Sequence, residues 1–296
     1  MSNTRHIYSL FIFIGLILSG CELINPSEEV PSYIYVPDIK LETNVATQGS
    51  ASAKITEVWV SVGGVFLGAY SLPAVIPILA DGMTELTLEA GIKDNGITSR
   101  SEIYPFYTPY TIQVDLQPEH MDTIRPGIRY RDDITIAFVE DFEKGKHLFD
   151  ELLQGNESNR MVIDNMEVFE DNFSGKIYLN KDAPFVELAT TESFQNLTDK
   201  GFQVYLEMNY RSDTPVVFGI IGKNQNDPDN AFAAYDPGFV PNEDWNKIYF
   251  NLSLLVLDNP FDEYQISLQA FLIEQNGNTV LDNATVWLDN IKLIHF

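Results

Sequence analysis

The chain of 296 residues contains a single cysteine, Cys21, only four histidines, and 18 lysines and arginines against 43 aspartates and glutamates. Each scarcity closes off a class of function. One cysteine can neither form a disulfide within the chain nor build a Cys-ligated zinc site. His6, His120, His147 and His295 are far apart, with no H-x-x-x-H pair, which argues against a His-based metalloenzyme or catalytic triad. A formal net charge of −25 argues against nucleic acid and anionic lipid as partners; it is compatible with calcium and with neutral sugars. Long hydrophobic runs are also missing. Ile7 to Leu18 is apolar, but it falls well short of the ~20 residues that cross a bilayer. No G-x-S-x-G or phosphate loop occurs. Carboxylates are plentiful enough for a glycosidase pair, yet nothing marks one pair.

The start of the chain explains where its one cysteine sits. Arg5 and His6 precede the short apolar core, and Leu18-Ser19-Gly20-Cys21 closes it. This resembles the lipobox of bacterial lipoproteins, in which the cysteine thiol receives diacylglycerol and the signal is cleaved just before it. The resemblance implies a signal peptide over 1–20, lipidation at Cys21, and a flexible polar tether over 21–37. An uncleaved apolar anchor with an incidental cysteine is the alternative. Lipidation would leave the mature chain without a free thiol and so exclude a cysteine protease. Localisation is expected to be the outer membrane, facing the periplasm or the surface.

The remainder reads as all-β. From 38 to 118 the pattern has period two: Val58, Val60 and Val62 alternate with Trp59 and Ser61, and Gly63-Gly64 can supply a two-residue hairpin loop before Val65–Tyr70. Short strands at this spacing indicate a small antiparallel Ig-like sandwich. Residues 58–91 also resemble the small surface modules of the PEGA kind, which implies a spacer or interaction domain. "YPFYTPY" (104–110) reads as a domain-edge segment packing on its neighbour, or as a ligand site. Residues 119–131 read as a linker. Within them, Asp122-Thr123-Ile124 resembles the O-glycosylation sequon of Bacteroidetes.

Residues 132–296 carry strand signals at 134–139, 202–210, 216–221, 248–254, 266–273 and 286–294, with helical spacing only at His147–Leu153. Sequential antiparallel strands in this length indicate a β-jelly roll. The domain opens "VEDFEKG" (139–145), passes through "DWNKIYFNLS" (244–253) and ends "VWLDNIKL" (286–293). That order resembles carbohydrate-binding jelly rolls of the galactose-binding-like type. The resemblance implies glycan binding without catalysis, and a structural calcium joining first and last strands through Glu143 and Asp289, with Asp141 a possible third ligand.

A sugar face is expected on "GFQVYLEMNYR". Phe202, Val204, Leu206, Met208 and Tyr210 fall on one side, read as core; Gln203, Tyr205, Glu207, Asn209 and Arg211 fall on the other. The second row pairs an aromatic plate with amide, carboxylate and guanidinium groups, the mixture that sugar hydroxyls and C–H faces need. Tyr249 and Asn251, and Gln265, Ser267 and Gln269, extend the expected face; an ordinary solvated sheet is the alternative. Trp245 reads as a core or edge residue. The stretch from Asn224 to Phe239 is the next place for a ligand. The expected function is a lipid-anchored envelope protein that binds glycan, or else an assembly lipoprotein that binds another envelope protein.

Overall fold

A computed structural model of the chain describes residues 30–296. Cys21, the signal segment 1–20 and the first part of the tether lie outside the described residues. The chain is nearly all β, in two consecutive sandwiches.

The first is built from β1 (Ser32–Val36), β2 (Lys40–Glu42), a single turn α1 (Val45–Gln48), β3 (Glu57–Val62), β4 (Val65–Ser71), β5 (Ala74–Ile78), β6 (Gly82–Lys93), β7 (Ser101–Ile103), β8 (Tyr110–Leu116), β9 (Met121–Thr123) and β10 (Gly127–Arg129). One sheet has the order β4-β3-β6-β7, with β8 also on β6; the other is β5-β1-β9, and β2 pairs with β10. Alternation drives the layering. Val58, Val60, Leu86 and Leu88 from one sheet meet Ile34, Val36, Ile76 and Ile78 from the other, all buried. Gly63 and Gly64 turn between β3 and β4 with φ of 56° and 79°, a conformation that a side chain disfavours at both positions.

Two expected boundaries move. The tether does not extend to residue 37, because Ser32–Val36 is a strand between β5 and β9. Residues 119–131 are not a linker: β9 pairs in parallel with β1 and β10 with β2, and Ile124, Ile128 and Tyr130 are buried. The first domain therefore closes with the segment expected to lead out of it.

The second sandwich comprises β11 (Thr135–Glu140), β12 (Glu151–Gly155), β13 (Val162–Asp164), β14 (Ser174–Asn180), β15 (Phe185–Ala189), β16 (Val204–Ser212), β17 (Val216–Asn224), β18 (Asp227–Phe239), β19 (Asn242–Asn251), α2 (Ser253–Asp258), β20 (Glu263–Phe271), β21 (Glu274–Gln275), β22 (Asn278–Thr279) and β23 (Asn283–His295). Its six-stranded sheet runs β13-β14-β23-β16-β19, with β11 on the far end of β23; the five-stranded sheet runs β12-β15-β20-β17-β18. Leu206, Met208, Phe250, Val286 and Leu288 pack against Leu188, Phe218, Ile220, Ile266 and Leu268. His147–Leu153 is not helical. Glu140 accepts the Phe142 and Leu148 amides at 2.8 and 2.7 Å, and the chain enters β12 at Glu151. Phe202, expected in the core, precedes β16 and is exposed.

The first domain sits on the outer face of the six-stranded sheet. Tyr205, Tyr249 and Ile294 of that face belong to the first domain's own buried cluster. The Tyr104 ring meets those of Tyr205 and Tyr249 at 5.3 and 4.9 Å, and Phe106 meets Tyr205 edge-on at 5.7 Å. "YPFYTPY" thus packs on its neighbour. At the centre lies Glu207, fully buried. Tyr104 Oη donates to it at 2.7 Å, Tyr130 Oη donates at 2.9 and 3.0 Å, and Lys247 Nζ is 3.1 Å away. Lys292, also fully buried, donates to Ser50 O at 2.6 Å. Burial alone would raise the Glu207 pKa, but Lys247, Lys292 and the Tyr104 hydrogen bond outweigh it and hold the carboxyl below its ordinary value.

Removing this carboxylate would leave the buried Lys247 ammonium and two phenols without their partner, and buried Lys292 without a compensating charge. Glu207→Ala is expected to destabilise the protein by about 3–5 kcal/mol in urea unfolding. A loss below ~0.5 kcal/mol, the size of a surface substitution, would show that the joint does not depend on it.

Candidate functional site

The expected sugar face divides between two sheets. Tyr205, Glu207, Asn209 and Tyr249 do point away from the jelly-roll core, as the alternation implied, but they are buried under the first domain. Tyr205 donates to Asp94 at 2.9 Å, Asn209 to Ser52 at 2.9 Å, and Tyr249 Oη accepts the Lys54 amide at 2.8 Å. They form a domain joint, not an open platform. Arg211 lies at its rim, 2.7 Å from Glu167 and with its guanidinium carbon 5.1 Å from the Trp287 ring centre. Trp245, half-buried, donates to Glu167 at 2.9 Å. A cleft of about 490 Å³ opens at the same joint, lined in part by Lys54, Lys93 and Lys247. Each ammonium is already engaged there, with Asn246, Glu57 and Glu207 in turn.

Gln269, with Gln265 and Ser267, lies elsewhere, on the outer face of the five-stranded sheet. The registers align Glu151, Ala189, Ser267, Gly219 and Tyr235 in one row across all five strands. Three members at the middle of the row are small, and all three are buried beneath the longer side chains around them. Gly219 has a specific reason to be glycine: a Cβ there would sit 2.2 Å from Ala234 O and 2.7 Å from Tyr235 Cδ1. The Tyr235 ring consequently lies against bare backbone and reaches across the sheet, where its hydroxyl donates to Glu187 at 2.5 Å. The ring stays half-buried. Burial and the Glu187 bond push the phenol well above its ordinary pKa, with Ser267 and Gln269 drawing it back in part.

A second polar row runs beside the first. Lys223 donates to Gln265 Oε1 at 2.5 Å, and Gln265 Nε2 donates to Glu151 and to Thr190 O, each at 2.5 Å. Ser267 Oγ is buried between the rows, close to the Tyr235 hydroxyl. The face thus offers a flat aromatic ring, two carboxylates, two amides and one ammonium held by mutual hydrogen bonds. Tyr235, Glu187, Lys223 and Gly219 were missed as site residues. The usable signals were a glycine inside the strand "VVFGIIG" and the flagged stretch 224–239, in which Tyr235 falls.

The carboxylates expected to hold calcium accept hydrogen bonds from nearby amides. Glu143 accepts the Asn172 and Phe173 amides, both at 2.8 Å, and the Asn172 side chain at 3.1 Å. Asp289 accepts the Asn290 and Glu170 amides at 2.7 and 3.3 Å, while Asp141 accepts the Glu143 amide at 3.3 Å. Among the described residues no group of three His, Cys, Asp or Glu side chains is gathered for a metal.

No protein-family model and no curated protein matches the sequence. Among solved structures, a carbohydrate-binding module of the β-sandwich superfamily aligns at TM-score 0.38 and 14% identity, covering 90% of this chain and 99% of its own. The CBM22-2 xylan-binding domain of Paenibacillus barcinonensis Xyn10C gives 0.39 and 12%, over 54% and 99%. The family 30 module of the Clostridium thermocellum cellulosomal cellulase Cel9D-Cel44B gives 0.36 and 13%, over 55% and 94%. A likeness of this size says nothing about what this chain binds.

Burial raises the Asp289 pKa to about 7, against the pull of its amide donors. A carboxyl protonated more readily in the folded than in the unfolded state contributes stability that is full below the unfolded pKa, ~3.9. That contribution is lost as pH rises through about 7. Wild type should therefore lose up to about 1.4 kcal/mol per pH unit across this window through Asp289, and Asp289→Asn should flatten that slope in melts from pH 4 to 8. Equal slopes would place the titration elsewhere. Calcium and chelator should give the same melting temperature for wild type, and a calcium-dependent rise abolished by Asp289→Asn would restore the metal reading.

Proposed function

We propose that this is a lipid-anchored cell-envelope protein whose second domain binds a glycan, without catalysis, on the outer face of its five-stranded sheet. One observation carries the glycan reading. The Tyr235 ring lies along Gly219 with Glu187 at its hydroxyl and Gln269 close by, so an apolar plate is bordered by planar polar groups. Sugars present the complementary surfaces: C–H faces that stack on rings, and hydroxyls that pair with carboxylates and amides. The hydrogen bonds among Lys223, Gln265 and Glu151 hold neighbouring groups in place before a ligand arrives, which reduces the ordering cost of binding. The anchor rests on the lipobox-like residues 18–21 and on the short apolar core before them.

Screening of the protein against plant, host and bacterial glycans supplies the ligand, and Tyr235→Ala tests the face. Loss of the ring should weaken binding by about 1–3 kcal/mol, a 5- to 150-fold rise in Kd by calorimetry, with the fold retained. Normal affinity in Tyr235→Ala and in Glu187→Ala would move the ligand off this face. No binding to any glycan would favour a protein partner. Separately, Cys21→Ala should abolish labelling by an alkyne fatty acid and leave uncleaved precursor; a variant that still labels would refute the lipid site.

A further inference from the structure

Among the described residues, six of the ten large apolar side chains exposed on the first domain share one end. β3 rises to the Gly63-Gly64 turn, whose first amide donates to Glu85 O at 2.8 Å, beside the start of β6. β5 rises to Ile78 opposite Ser32, the first residue of β1, and Ser32 Oγ donates to Ala80 O at 3.0 Å. β8 rises to Leu116 opposite Gly82, and the Glu119 amide after it donates to Pro31 O at 3.0 Å. Val30, Val65, Phe66, Leu79, Met83 and Met121 therefore share this end, each between 49% and 71% exposed. The joint with the second domain is at the other end, where β6 finishes at Lys93 and Asp94 accepts from Tyr205. Twelve residues of β6 separate the two ends by about 40 Å.

Two features indicate what covers this apolar end. The chain enters it at Val30, nine residues after Cys21, a stretch that spans at most about 32 Å when extended. Around it stand the exposed acidic residues Asp81, Glu85, Asp115 and Glu119, which repel anionic headgroups and tolerate zwitterionic ones. We infer that this end docks on the lipid surface, with Phe66 and Met83 entering the interfacial zone of an uncharged or zwitterionic leaflet. The inference rests on the lipid-anchor reading, and it makes the first domain a membrane-seated foot, not a spacer alone.

The test supplies its own tether, so it does not depend on acylation. A chain from residue 22 to 296 with an amino-terminal oligohistidine tag is held on nickel-chelating phosphatidylcholine vesicles. Every described element is retained, and the removal of Cys21 makes one introduced thiol unique. A fluorophore at Phe66→Cys or Met83→Cys should be quenched by lipid-borne nitroxide several-fold more than one at Ser99→Cys near the joint. Equal quenching at the three positions overturns the inference. So does shielding of the first two labels without vesicles as protein concentration rises, which would make a second copy the occupant. Phosphatidylglycerol in the vesicles should reduce the quenching at Phe66 and Met83; an increase would overturn the headgroup assignment. Failure of fatty-acid labelling at Cys21 would refute the anchor and leave this measurement readable on its own.

Discussion

The architecture depends on one buried carboxylate. Glu207 lies on the outer face of a sheet, where water would ordinarily solvate it, and a second domain covers it instead. Taking a charge out of water is repaid only by good geometry and full hydrogen bonding. Two phenols from the first domain donate to it, Lys247 of the second domain's own sheet lies 3.1 Å away, and Lys292 of that sheet adds a compensating charge. The phenols cannot reach Glu207 unless Tyr104 and Tyr130 are placed by the folded first domain, and the domains are thereby fixed in one relative position. Greasy rings alone would tolerate sliding. A carboxylate with specified donors does not.

This joint also decides which surface is left for a ligand. A jelly roll has two outer sheet faces, and covering the six-stranded one leaves the five-stranded one open. The two faces carry similar residue types, tyrosines among amides and carboxylates, but their partners differ. On the covered face the polar groups are matched across the domain boundary. On the open face they are matched along the same sheet.

Much of the strand pattern was legible, because alternation of apolar side chains is a direct consequence of the pleat. Val58 and Val60, the Gly63-Gly64 turn and the inward parity of Leu206 and Met208 all follow from it. Alternation says which way a side chain points and is silent about what lies there. Tyr205, Glu207 and Asn209 therefore read as a solvent-facing row, although their partners were visible separately in "YPFYTPY". The tether and linker differ from expectation for a related reason: the parallel pairings of β1 with β9 and β2 with β10 join segments nearly ninety residues apart, and β2, β9 and β10 are only three residues long. Tyr235 was obscured by the composition of β18, "DPDNAFAAYDPGF", whose prolines, aspartates and alanines give no period-two signal.

The open face also constrains the size of what it can hold. Its central row crosses five strands, and four strand spacings amount to about 19 Å. Tyr235 and Glu151 stand at opposite ends of that row, with Ala189, Ser267 and Gly219 between them contributing little side-chain height. A single sugar ring can stack on Tyr235 and reach Glu187 and Gln269, but it cannot also contact Glu151. A chain of several rings laid across the strands can do both, running over the side chains that cover the small residues. The Glu151–Gln265–Lys223 bonds run beside this row and hold its neighbouring polar groups in place. On the proposed glycan reading, this spacing suits an oligosaccharide held along its length better than a monosaccharide held in a pocket.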